Sequence, residues 1–227
     1  MKERTTAILI FAQSPLEEVK CKQVSKGEAL FDRLTRRTLG TVQKTGLPFY
    51  HFTEKLQQGR SFEARLSHAA RMVFEKGYDN LIIIGNDSPR LGTSHLLDTL
   101  GALEMGKTVL GPSADGGFYL MGIHKSVFRS LDFKGLPWQT SQLFKTLWGH
   151  LNALTPNILR LETLFDLDNL KDVISFLSRF GTFSKTLLSY LTQIICNPLR
   201  PWYLANDLPE YGVIPIPPNK GSPRVAL

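Results

Sequence analysis

Three acidic loops, each placed directly after an apolar run, contain the residues whose types and spacing could do chemistry. Asp87 follows the run LIIIGN, Asp115 follows TVLGPSA, and Asp166 and Asp168 end the run ILRLETLFDLD. If these runs are buried strands of one sheet, their loops lie along its carboxyl edge, where open α/β sheets bind ligands. Hard divalent cations such as Mg²⁺ take carboxylate oxygens together with substrate phosphates. The three loops together therefore indicate a cation site.

Each loop also has a purely structural interpretation. Asp87 lies in an Asp-Ser-Pro turn, where its carboxylate could bond to nearby backbone amides, and Asp115-Gly116 could be a plain hairpin turn. Asp166 and Asp168 could be a surface charge and a helix cap. Each alternative stays open when a loop is considered alone, and only the joint occurrence of the three favours a shared site.

Alternation of strand-like and helix-like segments over the first hundred residues predicts right-handed βαβ units and a mostly parallel sheet. The link Asp115-Gly116-Gly117 is too short for a crossover helix, which predicts a local antiparallel or mixed region. Ser61 is expected to cap a helix, and Leu96, Leu97 and Leu100 are expected to face inward from another. The predicted strands cover 5–11, 47–53, 81–84, 108–110, 118–123 and part of 158–167, the predicted helices cover 28–45, 62–73, 93–100, 138–151 and 170–177, and 12–26 is predicted to be a loop.

Composition places the chain among ordinary globular proteins. Its 227 residues, 42% hydrophobic and 21% charged, suffice for one α/β domain with an appendage. The start does not have the pattern of a signal peptide, and no run approaches the roughly 18 apolar residues of a membrane span, so we expect a cytoplasmic protein. Cys21 and Cys196 are expected to be free thiols, and the scattered histidines disfavour zinc.

The net charge of +7 favours an anionic ligand. Its densest cluster is Arg33, Arg36 and Arg37 on one predicted helix, which a solvated helix face explains equally well. A nucleic-acid partner is therefore disfavoured. Neither GxxxxGK[ST] nor GxGxxG occurs, which argues against a P-loop kinase and a standard dinucleotide enzyme.

The composition shifts after residue 180, which predicts a domain at 1–178 and an appendage at 179–227. The appendage is expected to hold an amphipathic helix near 187–195 and a proline-rich tail at 215–218. Trp202, Tyr203 and Tyr211 make this tail too aromatic for a disordered segment. We expect it to pack on the domain or on a second subunit, which could form a homodimer.

Four segments carry a resemblance to a known family: GNDSPRL, GPSADGGFYLMGI, LPWQTSQLF and FDLDNLKDV. In order and spacing they resemble the bacterial nucleotide-diphospho-sugar transferase-like proteins of the selenodomain-associated type, distant relatives of 2-phospholactate and molybdenum-cofactor guanylyltransferases. The resemblance covers about residues 5–178. It implies a Rossmann-like three-layer α/β/α GT-A fold and a nucleotide or nucleotide-sugar donor, with an unknown acceptor.

The resemblance also implies roles for individual residues. Asp87 would be a catalytic metal ligand, with Asp166 or Asp168 completing the shell of Mg²⁺ or Mn²⁺, and Asp115 would be catalytic on the acceptor side. Gly116 and Gly117 would let the backbone approach the ligand closely. The substrate-binding residues implied by the four segments and by the first loop are Lys20, Lys22, Asn86, Gly116, Gly117 and Trp138.

The first loop departs from the family pattern. The family usually has Phe-Ala-Lys-x-Pro-x-x-Gly-x-x-Lys-Thr-Arg-Leu, whereas this chain has FAQSPLEEVKCKQV, with Gln13 at the first lysine and Glu17 and Glu18 near the glycine. Two glutamates would repel a polyphosphate, although Lys20 and Lys22 could still contact it. Two hypotheses follow: a metal-dependent glycosyl- or nucleotidyl-transferase, or a non-catalytic ligand-binding or assembly subunit with a degenerate donor loop.

Overall fold

The computed structural model describes residues 5–22, 28–155 and 157–167. Strands and helices alternate along most of this length, as the periodicity of the sequence predicts. The strands are β1 (Thr6–Phe11), β2 (Phe49–Phe52), β3 (Asn80–Ile84), β4 (Thr108–Pro112), β5 (Phe118–His124) and β6 (Ile158–Arg160). The helices are α1 (Pro15–Lys22), α2 (Glu28–Gln43), α3 (Phe62–Phe74), α4 (Thr93–Glu104), α5 (Lys125–Ser130) and α6 (Leu143–Leu154).

The described strands form a six-stranded sheet in the order β2-β1-β3-β5-β4-β6. β5 pairs antiparallel with β3 and β4, whereas the pairs β1–β2, β1–β3 and β4–β6 are parallel. The link between β4 and β5 is a tight turn, so β5 must run back along its neighbour. The prediction of a mostly parallel sheet with a mixed region is confirmed.

Helices cover both faces of the sheet. On one face, α3 and α6 pack Leu66 and Leu147 against a cluster that includes Ile83 of β3. On the other, α2 and α4 pack against a cluster that includes Ile82 of the same strand. Because consecutive residues of β3 enter opposite cores, this strand is apolar throughout rather than alternating. The three-layer α/β/α architecture that the family resemblance implies is confirmed.

The prediction of a loop over 12–26 was wrong, because Pro15–Lys22 form the helix α1. Pro15 occupies the first helical position, where its missing N–H costs nothing. Glu17 and Glu18 lie in the first turn and Lys20 and Lys22 in the last, the charge order that the helix dipole favours. These charges also pair at i,i+3 and i,i+4. Charge density without an apolar stripe therefore did not exclude a helix.

Three details of the other helices differ from the predictions. Leu97 of α4 is 45% exposed, because the buried face runs through Leu96 and Leu103 instead. Ser61 precedes α3 as expected, but its hydroxyl donates to the Glu63 carboxylate rather than capping the backbone. Trp138 lies in the loop before α6, which begins at Leu143.

The predicted helix at 170–177, the amphipathic helix near 187–195 and the tail lie outside the described residues, as does Asp168. The predicted domain boundary and homodimer surface therefore stay predictions. Within the described part of the chain, none of the helices combines the length and the apolar character that crossing a bilayer requires.

A buried histidine lies on the edge strand of this sheet. His51 of β2 is 9% exposed, and neither of its ring nitrogens has a hydrogen-bond partner among the described residues. Burial lowers the pKa of the imidazole, while the nearby Glu54 carboxylate opposes that shift. The folded protein therefore holds His51 neutral at a pH where an unfolded chain already binds a proton.

Acid is therefore expected to weaken the fold through His51. Below the ordinary histidine pKa of 6.5 the unfolded chain binds the proton first. The contribution of neutral His51 to the free energy of unfolding is complete above that pH. Below it, this contribution falls by no more than about 1.4 kcal/mol for each pH unit. The melting temperatures of the wild type and of His51→Leu, measured between pH 7 and 5.5, check this. The melting temperature of the wild type should fall further, by roughly 2–4 °C for each kcal/mol of unfolding free energy that is lost. His150→Leu, at an exposed position of α6, is the control, and parallel curves for all three proteins would contradict the prediction.

Candidate functional site

A cavity of about 330 Å³ opens at the carboxyl edge of the sheet, where β1, β3 and β4 end. Three carboxylates line it, those of Asp87, Asp115 and Asp166. None of the described residues that line it is a lysine or an arginine. A chain with a net positive charge thus surrounds its cavity with acidic groups. The structure therefore brings together three carboxylates, of which those of Asp87 and Asp166 are 79 positions apart in the sequence.

Asp87 lies three residues beyond β3, and its side chain is about a quarter exposed. Its Oδ2 atom accepts a hydrogen bond from Lys22 Nζ at 3.2 Å, a contact between the end of α1 and the loop after β3. Its backbone carbonyl accepts from the N–H of Leu167 at 2.9 Å. Asp87 therefore joins the central strand to two other segments, and its carboxylate already carries a positive partner.

Asp115 lies in the turn between β4 and β5. Its Oδ1 atom accepts hydrogen bonds from the Ser113 hydroxyl and from the Gly117 N–H, the latter at 2.9 Å. The turn interpretation of the sequence is therefore correct for one carboxylate oxygen. Both bonds end on Oδ1, so Oδ2 is the oxygen that can face a ligand. The same residue serves the turn and lines the cavity.

Asp166 reaches the cavity from the segment after β6. Its Oδ1 atom accepts a hydrogen bond from the Ser88 hydroxyl, next to Asp87. A parallel bridge between Leu164 and Ser113 positions this segment beside the end of β4. The three acidic loops thus meet through backbone and side-chain hydrogen bonds. Asp168, the alternative ligand, lies outside the described residues.

The donor set suits a hard cation in part. No group of three or more His, Cys, Asp or Glu side chains within residues 5–22, 28–155 and 157–167 is close enough to hold a metal ion. Mg²⁺, however, is commonly held by only one or two carboxylates, with water and substrate phosphates filling the remaining positions. Asp87 and Asp166 supply two such carboxylates on one cavity. They fit a cation that binds together with a phosphate ligand, not a closed protein cage.

Aromatic rings form an apolar wall of the cavity. Trp138 packs on Phe62 at 5.1 Å between ring centroids and on Phe118 at 6.2 Å. Its indole N–H donates to the Phe133 carbonyl at 2.7 Å, which fixes the ring. The next residue, Gln139, also lines the cavity and has a φ of 58°, the left-handed conformation that costs a non-glycine residue about 1–2 kcal/mol.

Tyr119 also lines the cavity and is 2% exposed. Its hydroxyl donates to the Glu162 carbonyl at 3.1 Å. Burial, with the negative charges of Glu162 and Asp166, raises the pKa of this phenol well above its usual value. Tyr119 is therefore a neutral hydrogen-bonding group at any pH near 7, and it cannot act as a base.

Three residues expected to bind substrate lie elsewhere. Asn86 is 4% exposed and donates to the Thr35 hydroxyl at 2.9 Å, so it ties the end of β3 to α2. Lys20 is exposed and pairs with Glu17 at 2.9 Å on the surface of α1. Gly116 is not among the lining residues and packs against the backbone of Ser141. Asn86 and Gly116 stand beside Asp87 and Asp115 in the sequence, but neighbouring loop residues need not face the same way, and Lys20 lies on the exposed side of α1.

Sequence reasoning missed several residues of the site. Ser88 and Ser113 each donate to one of the acidic side chains, and Gln139 and Tyr119 line the cavity. Ser88 had a usable signal, since it stands beside Asp87 in the GNDSP turn. Glu18 is 7% exposed and lies 3.5 Å from Lys22, a contact that only the helical form of α1 creates.

Residues 40–140 match the family described as an uncharacterized protein conserved in bacteria, DUF2064. This segment holds β2 to β5 with Asp87 and Asp115, and it makes up less than half of the chain. A comparison with curated proteins gives no match.

A solved structure resembles most of this chain. A proposed nucleotide-diphospho-sugar transferase from Desulfovibrio desulfuricans G20 is 20% identical with a TM-score of 0.71, over 85% of this chain and 97% of that one. The fold is therefore shared. The resemblance of the sequence to nucleotide-diphospho-sugar transferase-like proteins is confirmed at the level of the fold. Rv0371c from Mycobacterium tuberculosis, solved with manganese, is 12% identical with a TM-score of 0.41, over 78% of this chain and 99% of that one.

Proposed function

We propose that this protein is a transferase that acts on a nucleotide-activated donor, either a nucleotide sugar or a nucleoside triphosphate. One observation carries the proposal: Asp87, Asp115 and Asp166, from three separate loops, line one cavity at the carboxyl edge of the sheet. That edge is where open α/β folds bind nucleotides. The shared fold with a proposed nucleotide-diphospho-sugar transferase supports the same class of reaction.

Mg²⁺ or Mn²⁺ would be held by Asp87 with Asp166 or Asp168. Bound there, it would supply positive charge to the diphosphate of the donor, which the acidic lining cannot attract by itself. Ser88 holds the Asp166 carboxylate by a hydrogen bond and keeps it beside the Asp87 loop. Lys22, at the end of α1, is the described cation nearest to Asp87 and would contact the donor phosphates.

The acceptor would lie on the other side of the cavity, between Asp115 and the aromatic wall. Ser113 and Gly117 fix the Asp115 carboxylate through Oδ1, so Oδ2 can accept a proton or a hydrogen bond from an acceptor hydroxyl. Phe118 and Trp138 offer flat apolar surface to the body of the acceptor. Carboxylates beside aromatic rings suit a hydroxyl-bearing molecule with an apolar face, such as a sugar.

A screen of thermal shifts tests this function. Nucleoside di- and triphosphates and nucleotide sugars are added with Mn²⁺, with Mg²⁺ and with EDTA. We expect at least one to raise the melting temperature only when the metal is present, by roughly 2–4 °C for each kcal/mol of binding. Adenosine and the other free nucleosides are the control, because they lack the phosphates that a cation would hold. Absence of any metal-dependent shift across the set would contradict the proposal.

A second function is favoured by one specific observation. The donor loop of the family has a glycine where this chain has glutamates, and Glu18 is buried with its carboxyl group 3.5 Å from Lys22. An acid at this place suits a non-catalytic ligand-binding or assembly subunit that kept the fold. Such a protein would bind a ligand in the cavity without converting it. Chromatography of the donor after incubation with the protein and the metal tests this. Metal-dependent binding together with transfer or hydrolysis of the donor would exclude this second function.

A further inference from the structure

The ammonium group of Lys22 occupies an oxygen-lined position beside the cavity. Its Nζ atom lies 3.2 Å from Asp87 Oδ2, 3.3 Å from the Leu167 carbonyl oxygen and 3.5 Å from Glu18 Oε2. The side chain is only 15% exposed, and the ammonium also lies 5.5 Å from the centre of the Phe31 ring. These contacts come from α1, α2, the loop after β3 and the segment after β6. Lys22 is therefore enclosed by the protein, unlike a mobile lysine on the surface.

Two carboxylates and a carbonyl around one positive charge are the ligand types of a hard cation. Here the positive charge is supplied by the chain. Asp87 is the carboxylate that the proposed metal would need, and its Oδ2 atom is the one in contact with Lys22. A divalent ion bound to Asp87 would lie within a few ångströms of the ammonium, where like charges repel strongly in a partly buried site. The two cations therefore cannot both remain at Asp87 with Lys22 in this position.

We infer that Lys22 and a divalent cation exclude each other at Asp87, so that Lys22 serves as an internal counter-ion of the ligand-free site. The inference rests on the proposed function for its biological meaning. A free metal ion must then displace the ammonium, whereas a phosphate ligand offers Lys22 a new partner. The metal would accordingly arrive with the nucleotide rather than before it. The buried Glu18, which departs from the family pattern, strengthens the hold on Lys22 in the ligand-free state.

Binding of Mn²⁺ alone tests the inference, measured from the free-ion signal in electron paramagnetic resonance at constant pH and salt. The wild type is compared with Lys22→Met, Glu18→Gln, and the double variant E18Q/K22M. Lys22→Met should bind Mn²⁺ at least about tenfold more tightly. In the wild type the ammonium of Lys22 occupies Asp87 in most molecules, and the apparent Mn²⁺ affinity is reduced to the fraction of molecules in which Asp87 is open. E18Q/K22M removes one charge of each sign, so a tighter affinity there cannot come from a change of net charge. Glu18→Gln keeps the ammonium but weakens its hold, so its Mn²⁺ affinity should lie between those of the wild type and Lys22→Met.

Two further proteins complete the design. Lys44→Met removes a positive charge from an exposed position between α2 and β2, and its affinity should equal that of the wild type. D87N/K22M should lose the tight binding, which assigns it to Asp87. If K22M does not fold, the charge-balanced double variant provides the comparison. Equal or weaker Mn²⁺ affinity after removal of Lys22 would overturn the inference, as would tight binding that survives D87N.

The experiment contains no nucleotide, so its outcome is independent of the nucleotide screen. Competition between Lys22 and Mn²⁺ could be found in a protein that binds no nucleotide, and the proposed function would then fail alone. Metal-dependent nucleotide binding without any effect of Lys22 on Mn²⁺ affinity would instead leave the transferase proposal standing and refute the internal counter-ion.

Discussion

Replacement of Asp87 by asparagine is expected to lower the affinity for a metal–nucleotide donor by at least about 100-fold, or about 2.8 kcal/mol. Asparagine keeps the shape of the side chain but removes the charge on the carboxylate that lines the cavity. The change weakens the hold on a cation, while Lys22 keeps Glu18 and the Leu167 carbonyl as partners. Titration calorimetry with the nucleotide identified by the screen, in Mn²⁺ and in EDTA, measures the loss.

Asp98→Asn is the matched control for this variant. Asp98 is exposed on α4, so its change removes one negative charge without touching the cavity. Its affinity and metal dependence should equal those of the wild type. A D87N protein that is folded and still binds the donor with unchanged affinity and unchanged metal dependence would refute the role assigned to Asp87.

Gly116→Ala is expected to cost about 2–5 kcal/mol of folding stability, the sum of left-handed strain and overpacking. Gly116 has a φ of 94°, and an added Cβ would lie 2.3 Å from the carbonyl oxygen of Ser141. The obstructing atoms are backbone, so they cannot rotate away. Its carbonyl also accepts from the Phe144 N–H at 2.8 Å, which ties the turn to the start of α6. The melting temperature should fall by roughly 5–15 °C in a chain of this size.

Gly149→Ala provides the comparison, since the same change is made inside α6 where nothing lies within 4 Å of the added Cβ. That variant should be neutral or more stable by about 0.5–1 kcal/mol. The pair also separates two roles for Gly116. If the glycine were needed only to admit a ligand, as the motif suggests, G116A would melt with the wild type and lose ligand affinity alone.

The acidic site was predictable because two simple patterns coincide. Apolar runs such as Leu81–Ile84 predict buried strands, and a carboxylate directly after such a run lies at the sheet edge that binds ligands. Asp87, Asp115 and Asp166 follow this rule, and the structure places all three around one cavity. The mixed region was also predictable, since the turn at Asp115 is too short for a parallel connection.

The direction of individual side chains was not predictable from the same motifs. Asn86 and Asp87 are neighbours, yet Asn86 points to Thr35 of α2 while Asp87 lines the cavity. Lys20 and Lys22 are two positions apart in a segment expected to be a loop. Once that segment is a helix, Lys20 turns to the solvent and Lys22 turns to Asp87. Contacts this specific depend on the helix phase, which a short charged segment does not reveal.

The sequence alone determined the layered fold and the sheet edge at which the acidic loops meet. Strand burial and turn length are local properties that depend on residue type and spacing. The tertiary structure alone decided how the charges pair. A carboxylate takes whichever cation the packing of distant segments places within about 3 Å, and interaction energy falls steeply with that distance in a partly buried site. The contacts of Lys22 with Glu18, Asp87 and Leu167, 145 residues away, are of that kind.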